Sequence, residues 1–186
     1  MTRTERYPAS VRALHWTVAA LLPLQWALGF VAERSDRHAL AEALFDAHFQ
    51  LGVLLFALAL LRIAARLSTP APAPLRPAPP RWQAYLAHGV HLSLYALLLA
   101  LPASGYVIWV WTGADRSLLG LVELPALFTP PRDDEGGRAL AWYLHVYGAW
   151  LLLALAAMHA GAALWHQWVR RDDLIGRRML RAVSRR

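Results

Sequence analysis

Four long apolar runs divide the chain, separated by shorter stretches rich in Arg, acidic residues, Pro or Gly. They cover approximately 13–32, 47–65, 85–111 and 142–165. At 1.5 Å of rise per residue, each is long enough as a helix to cross an apolar layer ~30 Å thick. The pattern therefore predicts an all-α, four-helix transmembrane bundle, and little chain remains for a separate soluble unit. Residues 1–186 are read as one integral membrane domain.

The intervening stretches refine this picture. Residues 1–12 form a short basic lead-in, with Pro8 and Ser10 placed to start the first helix. The first run is too long for a leader peptide and lacks a clear small-residue cleavage site, so it is read as a span. Pro23 predicts a kink in that span. The segment 68–80 (STPAPAPLRPAPP) predicts an extended link. Pro102 followed by Gly105 predicts an interruption of the third span near its end. Within the long loop 112–141, Ser117–Leu127 is apolar enough to predict a short helix lying on the membrane surface, and 129–137 (TPPRDDEGG) predicts a turn-rich loop. Trp109, Trp111, Trp142, Trp165 and Trp168 fall near span ends, where aromatic belts are expected.

Charge sets the expected orientation. The net charge is +7, and all 19 basic residues are Arg. Fourteen of them lie in 1–12, 62–81 and 170–186, whereas the loops 33–46 and 112–141 hold five Arg against nine of the twelve acids. That asymmetry is a positive-inside pattern, not a nucleic-acid surface. It places both termini in the cytoplasm, with the Pro-rich link 68–80 and the basic tail 170–186 on the same side. The chain has no cysteine, which excludes disulfides, cysteine-ligated iron–sulfur clusters and covalent c-type haem.

The candidate chemistry is carried by histidine. His145 and His159 are fourteen residues apart in the last span. At ~100° per residue they return to within roughly 40° of one another, about 21 Å apart along the axis. Imidazole at membrane depth is costly and usually functional. His15 lies just inside the first span from the cytoplasmic face, and His48 just inside the second from the outer face. The depths pair His48 with His145 at an outer level and His15 with His159 at an inner level. Two pairs of imidazoles at two depths suit two non-covalent haems, one above the other. The bland alternative is polar residues bonding between helices, which serves for one histidine better than for four at matching depths. Spacing alone leaves His88, His91 and His166 open as ligands, although His145 to His166 spans about 31 Å, too far for two haems in one core. Gly29, Gly52, Gly148 and Gly161 lie near these levels and offer gaps for flat porphyrins or for close helix packing. Arg12, Arg62 and Arg66 near the inner face are candidate partners for haem propionates, or topology anchors.

The motifs R-Y-P-A-S-V-R-A-L-H-W at 6–16, A-H-F-Q-L-G at 47–52, L-A-H-G-V-H-L-S-L-Y at 86–95, A-L-P-A-S-G at 100–105, H-V-Y-G at 145–148 and M-H-A-G-A-A-L-W-H at 158–166 together resemble the bacterial cytochrome b561 family over nearly the whole chain. The resemblance implies two b haems held by His15, His48, His145 and His159 as axial ligands, a multi-pass protein of the bacterial inner membrane, and ubiquinone as electron acceptor. It also implies a quinone and proton site near the inner haem, with His91 and His166 at positions of that region and His88 beside them. Activities in the family include oxidation of superoxide with quinone as acceptor. For such a donor, Arg34, Arg37 and His38 directly after the first span are candidate steering groups, helped by Arg116 or Arg132. The outer segments nonetheless sum to net −4, so only a local positive patch is available.

Three functions follow as expectations. The first is an oxidoreductase that carries electrons from superoxide, or another donor outside, through two haems to quinone. The second is a cytochrome b subunit serving a partner dehydrogenase or redox protein. The third is a histidine-lined metal transporter or scaffold with no redox role.

Overall fold

The computed structural model describes residues 6–70, 72, 80–114, 117–131, 133–172 and 174–180. Four long helices dominate: α1 (Ala9–Arg34), α2 (His38–Leu67), α3 (Arg81–Thr112) and α4 (Glu135–Trp168). Each contains one apolar run and extends past it at both ends, and all four are long and apolar enough to cross a membrane. Exposed side chains include Leu60, Leu61, Leu86, Leu92, Leu151 and Trp165. A solvent of lipid accounts for that apolar exterior. The buried apolar residues are small or branched, among them Val18, Ala32, Leu55, Ala59 and Leu152. Small side chains let helix backbones approach closely where burial from water gives no drive.

The helices pair as successive hairpins, α1 along α2 and α3 along α4, with α2 packed on α3. Helices α1 and α4 meet chiefly through rings. Trp26 lies edge-on to Trp150 at 4.8 Å between centroids, and Phe30 meets Trp150 at 6.0 Å. Along α4, His145, Leu152, His159 and His166 recur every seven residues, so they form one stripe that drifts only ~20° per step.

Three expectations are corrected. Pro102 does not interrupt α3, which runs on to Thr112 with Gly113 at φ 66° closing it in the left-handed region. Proline removes one backbone donor, and in an apolar surround the remaining helical bonds are too costly to give up. The segment 117–127 is not a helix. It forms a small antiparallel hairpin of β1 (Ser117–Leu118) and β2 (Val122–Glu123). Leu119 and Gly120 both take positive φ, which a helix cannot accommodate, and Leu121 N donates back to Leu118 O at 3.0 Å. Gln50 anchors the hairpin by donating to Ser117 O and accepting from Leu119 N, and Tyr106 OH donates to Pro125 O. Finally, α4 begins inside the expected loop 129–137. The Asp134 carboxylate accepts from Gly137 N at 2.8 Å, and Glu135 adds an acid to the first turn. This cap outweighs the poor helix propensity of Gly136 and Gly137.

Most of the Pro-rich segment 68–80 lies outside the described residues; its first residue, Ser68, closes α2. The tail that follows α4 is partly structured. A short helix, α5 (Leu174–Arg178), turns back beside the start of α1, where Arg12 NH1 donates to Leu180 O and Trp16 Nε1 to Met179 O.

Candidate functional site

The sequence brings four half-buried histidines to two levels. At one level His48 on α2 faces His145 on α4, with ring centroids 5.9 Å apart and planes at 77°. At the other, His15 on α1 faces His159 on α4, at 6.2 Å and 85°. With metal–nitrogen bonds of about 2 Å, two imidazoles on opposite sides of one iron have ring centres roughly 6 Å apart. Both pairs meet that spacing.

The His48/His145 level also has its tautomers fixed. His48 Nδ1 donates to Gln25 O at 2.9 Å, and His145 Nδ1 donates to Leu101 O at 3.0 Å. A carbonyl only accepts, so each Nδ1 carries the proton and each Nε2 keeps its lone pair. That is the form a metal-bound imidazole takes when a second group orients it. Gln25 Nε2 returns a bond to His48 O at 2.9 Å, and Ser104 Oγ lies 3.1 Å from His145 Nδ1. The rings lie directly over glycines of the neighbouring helices. A Cβ at Gly29 would stand 2.9 Å from His48 Cε1, and one at Gly105 would stand 2.9 Å from His145 Cε1.

Of the glycines expected to open gaps, Gly29 therefore receives a histidine ring. Gly52 faces Gln25 Nε2, Gly148 faces Leu101 Cδ2, and Gly161 faces nothing within 4 Å. Gly105, read from the sequence as a helix breaker, makes room for His145 instead.

The His15/His159 level is wired differently. Arg62 NH1 lies 2.5 Å from His15 Nδ1, and Arg62 Nε donates to the Tyr95 hydroxyl at 3.2 Å. Guanidinium can only donate, so this His15 carries its proton on Nε2. Ligation of iron at Nε2 requires Arg62 to turn to another acceptor, such as a carboxylate of the bound group. His91 on α3 also reaches this level, its ring 5.1 Å from that of His159. His88 is exposed on the same helix.

The other two arginines considered for propionates are tied to the chain ends. Arg66 lies over the Tyr7 ring, and Arg12 donates to Leu180 O while its Nε is buried with no acceptor among the described residues. Arg12 thus keeps one donor for an anionic group. Beyond His159 on the same stripe, His166 Nδ1 meets the Asp172 carboxylate at 2.5 Å. Asp172 was not legible as a partner, because only the turn after α4 brings it back.

At the opposite end, the steering candidates do not form one free patch. Arg34 pairs with Glu33 at 3.2 Å and lies 3.8 Å over the Phe30 ring. His38 meets Glu42 at 3.2 Å. Arg37 is exposed, with no ion pair among the described residues. Arg116 and Arg132 lie outside the described residues.

Comparison with known proteins bears on the family. The sequence model of the family described as prokaryotic cytochrome b561 matches residues 6–182. Cytochrome b561 homolog 2 of Escherichia coli (strain K12) is 31% identical over 182 residues, covering 97% of this chain and 94% of that protein. Cytochrome b561 homolog 1 of the same strain is 30% identical over 174 residues, covering 90% and 93%. A protein of Yersinia pestis named probable superoxide oxidase CybB is 30% identical over 183 residues, covering 94% and 96%.

Proposed function

The chain belongs to the prokaryotic cytochrome b561 family of bacterial membrane electron-transfer proteins, a family that implies b-type haem, and we propose that it carries electrons through two such haems from a periplasmic donor to ubiquinone. The observation that carries this reading is the pair of histidine couples at two depths, each with ring centres near 6 Å. We assign His48 and His145 to the outer haem and His15 and His159 to the inner one. The Arg asymmetry supports that orientation in the inner membrane, with both termini cytoplasmic.

Bound haem would supply a one-electron carrier at each level, held by the two histidines there. The chain's own work is to hold, orient and insulate. Gln25 O and Leu101 O aim the outer imidazoles. The apolar helix faces keep water from both levels. Arg62 and Arg12 supply donors for propionates at the inner level. Quinone reduction also consumes protons. His166, hydrogen-bonded to Asp172 near the cytoplasmic end, together with His91 and His88, gives groups able to pass them inward.

The favoured donor is superoxide, as the name of the Yersinia pestis relative suggests for that protein. Two superoxide anions give up one electron each, and with two protons one quinone becomes quinol and two O2 are released. Arg37 is the local positive group that would draw the anion in, since Arg34 and His38 are each engaged by a glutamate. A second reading, an electron-transfer subunit fed by a redox protein or dehydrogenase, is favoured by the outer excess of acids, five Arg against nine. Stopped-flow mixing of the purified haem-loaded protein with superoxide, with ubiquinone as acceptor, decides between them. Haem reduction within milliseconds followed by quinol formation supports the first. A protein that reacts only when a co-purifying partner is restored supports the second.

A further inference from the structure

The two helical hairpins repeat one device. In the first, Gln25 O accepts from His48 Nδ1, and four residues on along α1 stands Gly29 under the ring. In the second, Leu101 O accepts from His145 Nδ1, and four residues on along α3 stands Gly105 under the ring. A helical carbonyl bonds the N–H four residues later, so each carbonyl serves both its own glycine and the facing histidine, and Leu101 O accepts from Ser104 Oγ at 2.9 Å as well. The ring can reach that carbonyl only if the i+4 residue presents no side chain. A Cβ at Gly29 would stand 2.9 Å from His48 Cε1 and 3.0 Å from its Nδ1. At Gly105 the distances to His145 are 2.9 and 3.3 Å. These lie inside ordinary carbon contact distances of 3.5–4.0 Å. A Cβ at either place therefore pushes the ring off its acceptor. Among the described residues, neither inner-level ring is given this support. His15 Nδ1 faces Arg62 instead, and Gly161, two residues from His159, meets nothing within 4 Å.

We infer that Gly29 and Gly105 are matched positioning residues for the outer haem: by lacking a Cβ they let His48 and His145 lock to carbonyls of the neighbouring helices, which fixes the Nδ1–H tautomer and points each Nε2 at the iron. This rests on the assignment of His48 and His145 as ligands. Helix propensity alone predicts the reverse effect of substitution, since alanine in place of a mid-helix glycine normally stabilises.

The test uses the full-length, haem-loaded protein in detergent, as Gly29→Ala, Gly105→Ala, His48→Ala and the control Gly89→Ala, whose new methyl meets nothing within 4 Å. Haem per chain, the redox titration and carbon monoxide binding to the reduced protein are measured. Gly29→Ala and Gly105→Ala are expected to keep the inner haem. They lose at least half of the outer one, or retain it with a shifted potential and new carbon monoxide binding at the freed coordination position. Gly89→Ala should match the parent. Full content of both haems in both glycine variants, with no carbon monoxide binding and an unshifted outer potential, overturns the assignment. Loss of both haems in both variants overturns it too, because that reports a packing role alone. If His48→Ala itself keeps two haems, the ligand assignment fails. If His48→Ala loses the outer haem while the glycine variants behave as the parent, only the positioning role fails.

Discussion

Arg62 holds its guanidinium against His15, NH1 to Nδ1 at 2.5 Å, while its Nε donates to Tyr95. The outer histidines face neutral carbonyls, whereas at the inner level a guanidinium touches a histidine ring directly. A cation beside a haem disfavours the oxidised, more positive form and raises its potential. On the proposed assignment, that difference would favour electron flow from the outer level to the inner one.

Arg62→Gln should therefore lower the inner potential and leave the outer one in place. Unit charges ~8 Å apart at an effective dielectric of ~20 interact by about 2 kcal/mol, equivalent to roughly 90 mV for one electron, and partial neutralisation by propionates reduces this to about half. Redox titration with optical detection measures it. An inner potential unchanged or raised in the variant would show that Arg62 does not act on that site.

The ligand pairs make separate predictions. His159→Ala should remove the inner haem and leave most of the outer one, and His48→Ala should do the opposite. Haem per chain and the reduced-minus-oxidised spectrum read both. A pairing of His91 with His159, whose rings lie 5.1 Å apart, predicts instead that His15→Ala keeps the inner haem. Retention of both haems in either His159→Ala or His48→Ala refutes the pairs as assigned.

Much of this arrangement was legible in the chain because helical period and membrane thickness are rigid rulers. Fourteen residues between His145 and His159 fix both face and depth before any packing is known. What stayed hidden depends on contacts between elements. Gly105 looked like a breaker beside Pro102 because its use lies on another helix, under His145. Asp172 looked like one acid in a basic tail until the turn after α4 carried it to His166. The segment 117–127 misled for a local reason: its leucines suggest an apolar face, but Leu119 and Gly120 turn with positive φ and the strands pair instead.

The His166–Asp172 contact predicts a split between electron and proton steps. Asp172→Asn keeps the size of the side chain but removes the charged acceptor that orients the His166 ring. Quinol formation should slow several-fold, while the first, single-electron reduction of the protein by superoxide keeps its rate. Pre-steady-state reduction measured beside steady-state quinone turnover separates the two. Equal slowing of both would assign the pair to packing of the α4 terminus.

Steering of the donor is tested most directly at Arg37, because Arg34 is already engaged by Glu33 and Phe30 whereas Arg37 is exposed. Reversing one charge about 10 Å from the approach path changes the energy of a monovalent anion by roughly 0.8 kcal/mol in water, a factor of about four in encounter rate. Arg37→Glu should therefore slow superoxide-driven reduction about fourfold at low salt, with Arg34→Glu weaker. Near 1 M salt the Debye length falls to about 3 Å and the variants should converge with the parent. A basic protein donor reverses the sign, since each added Glu then deepens an acidic docking face and speeds reduction. Measuring both donors against salt thus distinguishes the two functions by direction, and a rate indifferent to charge and salt with superoxide would remove this patch from the pathway.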